Sequence, residues 1–155
     1  LEDRPKETNS LDKVNPAKGK HFSDNVPYML IPKGDGYQKS IKGIVSKNFQ
    51  DNHFGRPLLG LEIKSNAKQN VKAIHNGVVA FIAESFAGYG RCIAVATGRN
   101  EIFFMYGLNS ITVKNGDVIN IGDSIGTINA GETLGLKILN KGIFQDPGKL
   151  IPGMQ

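Results

Sequence analysis

The fold of this 155-residue chain is decided by the stretch from residue 56 to residue 139. It opens with PLLGLEI (residues 57–63) and closes with TLGLKI (residues 133–138), two strand-like runs. Between these runs lie VKAIHNGVV (residues 71–79), GYG (88–90), FMYGLNS (104–110) and VKNGDVINIGDSIG (113–126). Short apolar runs separated by Gly, Asn and Asp favour many short β-strands joined by tight turns. The stretch therefore predicts an all-β domain.

The composition agrees with this prediction and excludes several classes of protein. The chain is 39% hydrophobic and 21% charged, with 19 glycines and 7 prolines, as expected of a globular chain rich in turns. Its length is sufficient to bury a sizeable core. No apolar run approaches the roughly 20 residues that a membrane-spanning helix requires. We therefore expect no transmembrane segment in this chain.

The formal net charge is +5, which favours an anionic partner such as an anionic polymer, an acidic protein surface or lipid headgroups. The basic residues are scattered along the sequence, however, without a lysine and arginine run or the aromatic and basic motif of a nucleic-acid reader. We interpret most of this charge as solvated surface charge and expect no nucleic-acid partner. The lone Cys92 lies in an apolar strand pattern and is interpreted as a small buried hydrophobic residue.

The amino-terminal residues 1–25 are polar and cannot bury enough apolar surface to fold alone. They are interpreted as an arm or linker, which either tethers the domain or lies on it and covers a groove, and residues 26–155 are interpreted as the domain. Of the three histidines, His21 lies in the arm and His53 in a loop before the first core strand. His75 precedes Asn76-Gly77, which predicts a type I′ hairpin turn. No chemistry is expected from these histidines.

The order of these runs resembles that of the LytM/lysostaphin-type zinc endopeptidase domain, a family that cuts peptidoglycan cross-links. The resemblance covers roughly the last four-fifths of the chain. It implies a compact β-barrel or sandwich with a core like that of the barrel-sandwich hybrids. It also implies a periplasmic or otherwise extracytoplasmic location.

The resemblance also implies that the family's zinc-binding and catalytic residues are replaced here. The family has a histidine and an aspartate, four residues apart, at the positions of Leu58 and Glu62. It has a His-x-His pair, of which one histidine binds zinc and the other assists catalysis, at Thr133 and Gly135. A further catalytic histidine, from a Tyr-x-His-Leu motif, stands at the position of Leu108. A hydrolytic zinc site needs three protein ligands and a metal-activated water. Because only Glu62 could still bind a metal, we expect no metal, no cofactor and no peptidase activity.

The segment YGLNS (residues 106–110) looks like the Tyr-Gly-x-Asn stretch of degenerate LytM domains of the EnvC/NlpD type. Those domains bind no zinc and activate cell-wall amidases by docking to them. The expected function is therefore that of an inactive envelope module that binds an amidase, another envelope protein or peptidoglycan. The alternatives are a zinc endopeptidase with atypical ligands, a biotinyl- or lipoyl-like carrier module and a purely structural domain.

The former active-site groove is the predicted partner-binding site. Its predicted groove residues are Leu58, Glu62, Leu108, Asn109, Thr133 and Gly135, and its predicted rim residues are Arg56, Tyr89, Arg91 and Tyr106. Tyrosine and arginine are enriched among binding hot spots, which is why they are placed on the rim. In this interpretation Leu58 and Leu108 form an apolar floor. In the alternative, the two leucines fill the space of the lost metal site and close the groove.

Overall fold

The computed structural model describes residues 26–34, 36–85, 88–98 and 100–154. The predicted arm, residues 1–25, lies outside the described residues, and so does His21. The first described element is a 3-10 turn, Tyr28–Leu30.

The strands are β1 (Gly43–Lys47), β2 (Asn52–His53), β3 (Arg56–Pro57), β4 (Leu61–Ser65), β5 (Gln69–Lys72), β6 (Gly77–Ala83), β7 (Arg91–Gly98), β8 (Glu101–Leu108), β9 (Ser110–Ile111), β10 (Val118–Ile119), β11 (Ser124–Ile128), β12 (Thr133–Asn140) and β13 (Ile143–Gln145). A short helix, α1 (Pro147–Leu150), follows them. It begins after Asp146, whose carboxylate accepts a hydrogen bond from the Gly148 N–H at 2.9 Å. The all-β prediction is confirmed. In the described part of the chain, no helix is long and apolar enough to cross a bilayer.

The strands form three antiparallel sheets. The main sheet has the order β1-β4-β12-β8-β7-β6-β10, with β13 paired to the end of β12. A smaller sheet has the order β5-β11-β9, and β2 and β3 form a separate hairpin. The core lies between the main and the smaller sheet, so the arrangement is a β-sandwich of the predicted kind.

Strand β12 shows how the main sheet separates core from site. Leu134, Leu136 and Ile138 are buried in the core between the two sheets. Because successive side chains of a strand point to opposite faces, Gly135 and Lys137 belong to the other side. We call that side the outer face of the main sheet. It carries the candidate site.

The predicted hairpin at Asn76-Gly77 is wrong. Strand β5 pairs with β11 in the smaller sheet, whereas β6 pairs with β7 and β10 in the main sheet. Asn76 instead connects three segments: its Nδ2 donates to the carbonyls of Pro32 and Lys33, and its Oδ1 accepts from the Ile121 N–H at 2.7 Å. The short polar side chain therefore serves long-range packing and not a local turn.

Candidate functional site

Three adjacent strands bring Glu62, Gly135 and Tyr106 side by side on the outer face. Gly135 of β12 is the register partner of Glu62 on β4 and of Tyr106 on β8. The residues are 29 or more positions apart in sequence, so antiparallel strand pairing brings them together. Two of them, Glu62 and Gly135, stand at positions where the resembled family has active-site residues.

The ring of Tyr106 fills the place of a side chain at position 135. A Cβ atom built on Gly135 would overlap that ring. The Tyr106 hydroxyl extends beyond the glycine and donates a hydrogen bond to Glu62 Oε2 at 2.9 Å. Glu62 is 8% exposed and Tyr106 7% exposed, so this bond is buried. The Tyr106–Glu62 pair therefore occupies the space that a side chain at position 135 would take.

His53 belongs to this cluster, and its interpretation as an ordinary loop histidine is wrong. It lies on β2 and is 6% exposed. The β2–β3 hairpin brings His53 Nε2 to 3.8 Å from Glu62 Oε2. Its ring also stacks at 6.5 Å from Tyr89, which packs on Tyr106 with ring centroids 4.5 Å apart. The sequence distance from Glu62 gave no signal of this contact.

Cys92 lies under the two tyrosines and is buried, as predicted. Burial raises the pKa of the Cys92 thiol to about 12. Because the thiolate is the nucleophilic form, this thiol is inert at neutral pH.

A shallow depression of about 200 Å3 remains above the pair, lined by Glu62, Tyr89, Tyr106, Gly107 and Thr133. Gly107 has a φ of +89°, and a Cβ there would collide with the Thr133 carbonyl. A side chain at position 107 would therefore both strain the backbone and force β8 and β12 apart. The lining is mostly polar or aromatic, and it can offer hydrogen bonds to a small polar group.

The predicted apolar floor is wrong. Leu58 is 1% exposed and Leu108 4% exposed, and Leu108 packs in the core between the sheets. The alternative, in which the two leucines fill the space of the lost metal site, also differs from the structure, because Leu108 packs between the sheets and the Tyr106 ring is what covers Gly135. Of the two active-site positions that they occupy, position 58 is buried and position 108 lies in the hydrophobic core.

The remaining predicted residues lie around the end of β8. Asn109 is exposed, and its amide contacts Thr127 and Asn129. Its carbonyl accepts from Arg91 Nη1 at 2.7 Å, while Arg91 Nε pairs with Glu84 at 2.7 Å. Arg56 is exposed on β3. None of these three residues lines the depression.

Lys137 is a site feature that sequence reasoning missed. It lies on the outer face of β12 and is 2% exposed. Its Nζ is 5.9 Å from the ring centroids of both Tyr106 and Phe144. Burial lowers the pKa of Lys137 to about 7, because an ammonium group loses hydration there. An apolar neighbourhood in the sequence gave only a weak signal for a buried lysine.

These residues do not fit a zinc ion. Among residues 26–34, 36–85, 88–98 and 100–154, no group of three or more His, Cys, Asp or Glu side chains is placed to hold a metal. Leu58 and Leu108 offer no lone pairs, and the place of a ligand at position 135 is taken by the Tyr106 ring. The donor set left at the site is one carboxylate with a histidine beside it.

The sandwich and the position of this site on its outer face define a LytM/lysostaphin-type domain. The chain belongs to peptidase family M23, whose family model matches residues 56–147. The predicted family is thereby confirmed.

Similar proteins agree with this assignment. The chain is 29% identical over 106 residues to the uncharacterized protein NMB1333 of Neisseria meningitidis serogroup B, covering 64% of this chain and 18% of that protein. It shares its fold with Csd3 of Helicobacter pylori, with a TM-score of 0.68, 19% identity and coverage of 76% of this chain and 35% of that one. The same fold is found in the catalytic domain of the antimicrobial peptidase lysostaphin from Staphylococcus simulans. The TM-score is 0.54 and the identity 23%, with coverage of 84% of this chain and 96% of that one. The chain therefore spans about a fifth of NMB1333 and about a third of Csd3.

Replacing Gly135 with Ala is expected to destabilise the domain by about 1–3 kcal/mol, the usual cost of overpacking. The added methyl group would overlap the Tyr106 ring. In a Tyr106→Val background the ring is gone, so the same substitution should cost much less. Urea unfolding of the four proteins of this double-mutant cycle measures the coupling. Equal costs in both backgrounds would contradict the proposed contact.

Proposed function

We propose that this chain is a non-catalytic M23 domain of the cell envelope that binds a partner at the depression above Glu62 and Tyr106. A cell-wall amidase or another envelope protein is the first candidate partner, and peptidoglycan is the second. The observation that carries the proposal is the Tyr106 ring, which lies over Gly135 while its hydroxyl is bonded to Glu62.

The proposed lack of hydrolysis follows from the few residues at the site that could act as zinc ligands. Hydrolysis by a zinc enzyme needs three ligands that hold the ion and leave a position for water. Here Glu62 is already bonded to a neutral phenol, and His53 Nε2 lies 3.8 Å from the same carboxylate oxygen. Moving Tyr106 away from Gly135 to admit a ligand would break that bond and open a cavity under Tyr89.

A binding role is supported by what remains accessible at the depression. Thr133 is exposed beside the buried pair and offers a hydroxyl group at the rim. Tyr89 and Tyr106 are held rigidly by their mutual packing, so contacts with them cost little ordering entropy. A volume of about 200 Å3 accommodates one side chain of a partner and not a whole helix. Such an anchor pocket suits an envelope protein or a peptide stem of peptidoglycan.

The proposal is tested first by metal content and hydrolysis. Protein purified without chelator is expected to contain far less than one zinc per chain and to release no muropeptides from purified peptidoglycan. A zinc-containing M23 peptidase treated identically is the positive control. Stoichiometric zinc together with chelator-sensitive release of muropeptides would overturn the proposal.

Binding is tested with a variant that fills the depression. Thr133→Trp is expected to weaken binding to the amidases of the same organism, or to peptidoglycan, by about 1–3 kcal/mol, the range of a hot-spot contact. Val118→Trp adds the same ring at an exposed residue on β10, the edge strand four strands away from β12 in the main sheet, and should leave binding unchanged. Sedimentation with peptidoglycan and titration with each purified amidase distinguish the two partners. Equal binding by both variants would place the interface elsewhere.

A further inference from the structure

The positive charge of the chain is concentrated in one segment. Residues 36–72 contain seven lysines and arginines against two carboxylates, Asp51 and Glu62. This surplus of five equals the net charge of the whole chain, so the remaining residues are neutral in sum. The interpretation of the basic residues as scattered is therefore incomplete, because this segment forms strands β1 to β5, of which β1 and β4 pair at one edge of the main sheet.

Three of these lysines meet beside β1, the edge strand of the main sheet. Lys39, Lys42 and Lys72 are exposed and line a depression of about 190 Å3 together with Gln69 and Asn70. The Lys42 backbone is held there by the Gln69 side chain at 2.9 Å. No carboxylate lines this depression, and in the described part of the chain none of the three lysines forms a salt bridge.

A second, larger depression adjoins the first and shares Lys39 with it. Its volume is about 310 Å3, and its walls include Ile41, Ile63 and Met154. Ile44 of β1 also lines it and is 74% exposed. Lys39 and Ile41 line both the lysine-lined and the apolar depression, so the two adjoin along the short segment that leads into β1.

Strand β1 has one open edge. Among the described residues it pairs only with β4, through the register Gly43↔Ser65, Ile44↔Lys64 and Val45↔Ile63. The backbone groups on the other edge of a strand with one neighbour are available to a further strand. An extended peptide can bind such an edge through main-chain hydrogen bonds, while pockets select its side chains.

We infer that the open edge of β1 is the binding site for an extended, acidic segment of a partner protein, which adds to the main sheet as a further strand. The backbone of the segment pairs with β1, an apolar side chain enters the depression walled by Ile41, Ile63 and Met154, and carboxylates lie near Lys39, Lys42 and Lys72. Positive potential without internal ion pairs favours an acidic partner and excludes a basic one.

This site is separate from the depression at Tyr106. Glu62 faces the outer side of the main sheet, whereas Ile63, the next residue of β4, faces the core side that the apolar depression reaches. The inference therefore does not depend on the function proposed above. Substitutions at the Tyr106 depression should leave it unaffected.

The test uses the whole chain and a fluorescein-labelled peptide of about ten alternating Glu and Val residues, the upper length of common strands. Fluorescence anisotropy at about 0.15 M salt should show saturable binding despite screening. Lys39→Glu/Lys42→Glu should weaken the affinity by at least about tenfold, because the paired charges then repel. The control Lys114→Glu, an exposed lysine outside the segment, should change the affinity by less than about twofold.

A second peptide with the same sequence and N-methyl groups on all backbone amides keeps the charge but has no N–H group on either edge to pair with β1. We expect it to bind at least about tenfold more weakly, since main-chain hydrogen bonds give this mode its affinity. Amide chemical shifts in the presence of the first peptide should change at Gly43, Ile44 and Val45. The inference is overturned if the first peptide does not bind, if the methylated peptide binds equally well, or if Lys114→Glu weakens binding as much as the double substitution. Shifts confined to residues around Glu62 would overturn it too.

Discussion

Replacing Leu108 with Asp is expected to unfold the domain. Leu108 is 4% exposed and packs in the core, where its Cδ2 atom would lie 2.8 Å from a Cβ built on Gly126 of the smaller sheet. The side chain therefore joins the two sheets. Removing it forfeits roughly 1.5–3 kcal/mol of apolar burial. Burying a carboxylate without a compensating partner adds several kcal/mol more. Together these losses approach the whole stability of about 5–15 kcal/mol typical of a domain.

The control for this experiment is Leu108→Met, a nearly volume-conserving change that should cost less than about 1.5 kcal/mol. Far-ultraviolet circular dichroism and urea unfolding compare both variants with the parent. A Leu108→Asp protein that keeps the β spectrum and a cooperative transition would show that Leu108 is not part of the core. The exposed apolar floor predicted from the sequence would then be correct after all.

Replacing Lys137 with Met is expected to stabilise the domain at neutral pH and to remove part of its pH dependence. The folded pKa of Lys137 is lowered to about 7 by burial, whereas an unfolded lysine has a pKa of about 10.4. Between these values the unfolded chain binds a proton that the folded chain does not. Stability of the parent must therefore rise with pH in this window, by up to about 1.4 kcal/mol per pH unit. Below pH 7 Lys137 is protonated in both the folded and the unfolded state, so the full free-energy cost of burying its charge lowers the stability of the parent.

Urea unfolding of the parent and of Lys137→Met at intervals from pH 6 to pH 9 measures this difference. The parent should gain about 2 kcal/mol or more relative to the variant between pH 7 and pH 9, the integral of the linkage relation over that range. Lys64→Met, a change at an exposed lysine on the neighbouring strand β4, should leave the pH dependence unchanged. Parallel curves for the parent and Lys137→Met would contradict the lowered pKa.

Much of the fold was predictable because its signals are local. The short apolar runs and the Gly, Asn and Asp turns between them predict strands from residues that are close together in the sequence. The order of these runs is what resembles the family. The error at Asn76-Gly77 has a physical cause: the dipeptide suits a hairpin, but pairing of β6 with β7 and β10 decides where the chain goes next. The local turn preference of the dipeptide therefore gives way to sheet pairing.

The site was predictable only in part, because its contacts join distant segments. The loss of ligands at Leu58, Leu108, Thr133 and Gly135 is visible in the sequence, but the direction of the two leucines is not. Likewise, His53 reaches Glu62 only because the β2–β3 hairpin folds back over the outer face. The lysines beside β1 are separated by up to 33 residues, so their convergence appears only once β5 pairs with β11 and the Lys72 N–H donates to the Ser40 carbonyl.

The contact between Tyr106 and Gly135 has a consequence for the history of such a domain. A single mutation that restored histidine at position 135 would meet the tyrosine ring, and one at position 58 or 108 would place an imidazole in tightly packed interior. Each first step back towards a metal site therefore lowers stability before any ligand set is complete. Because selection acts on single substitutions, packing of this kind opposes each of them. Under the function proposed above, such a lineage can refine its binding surface more readily than it can acquire a metal site.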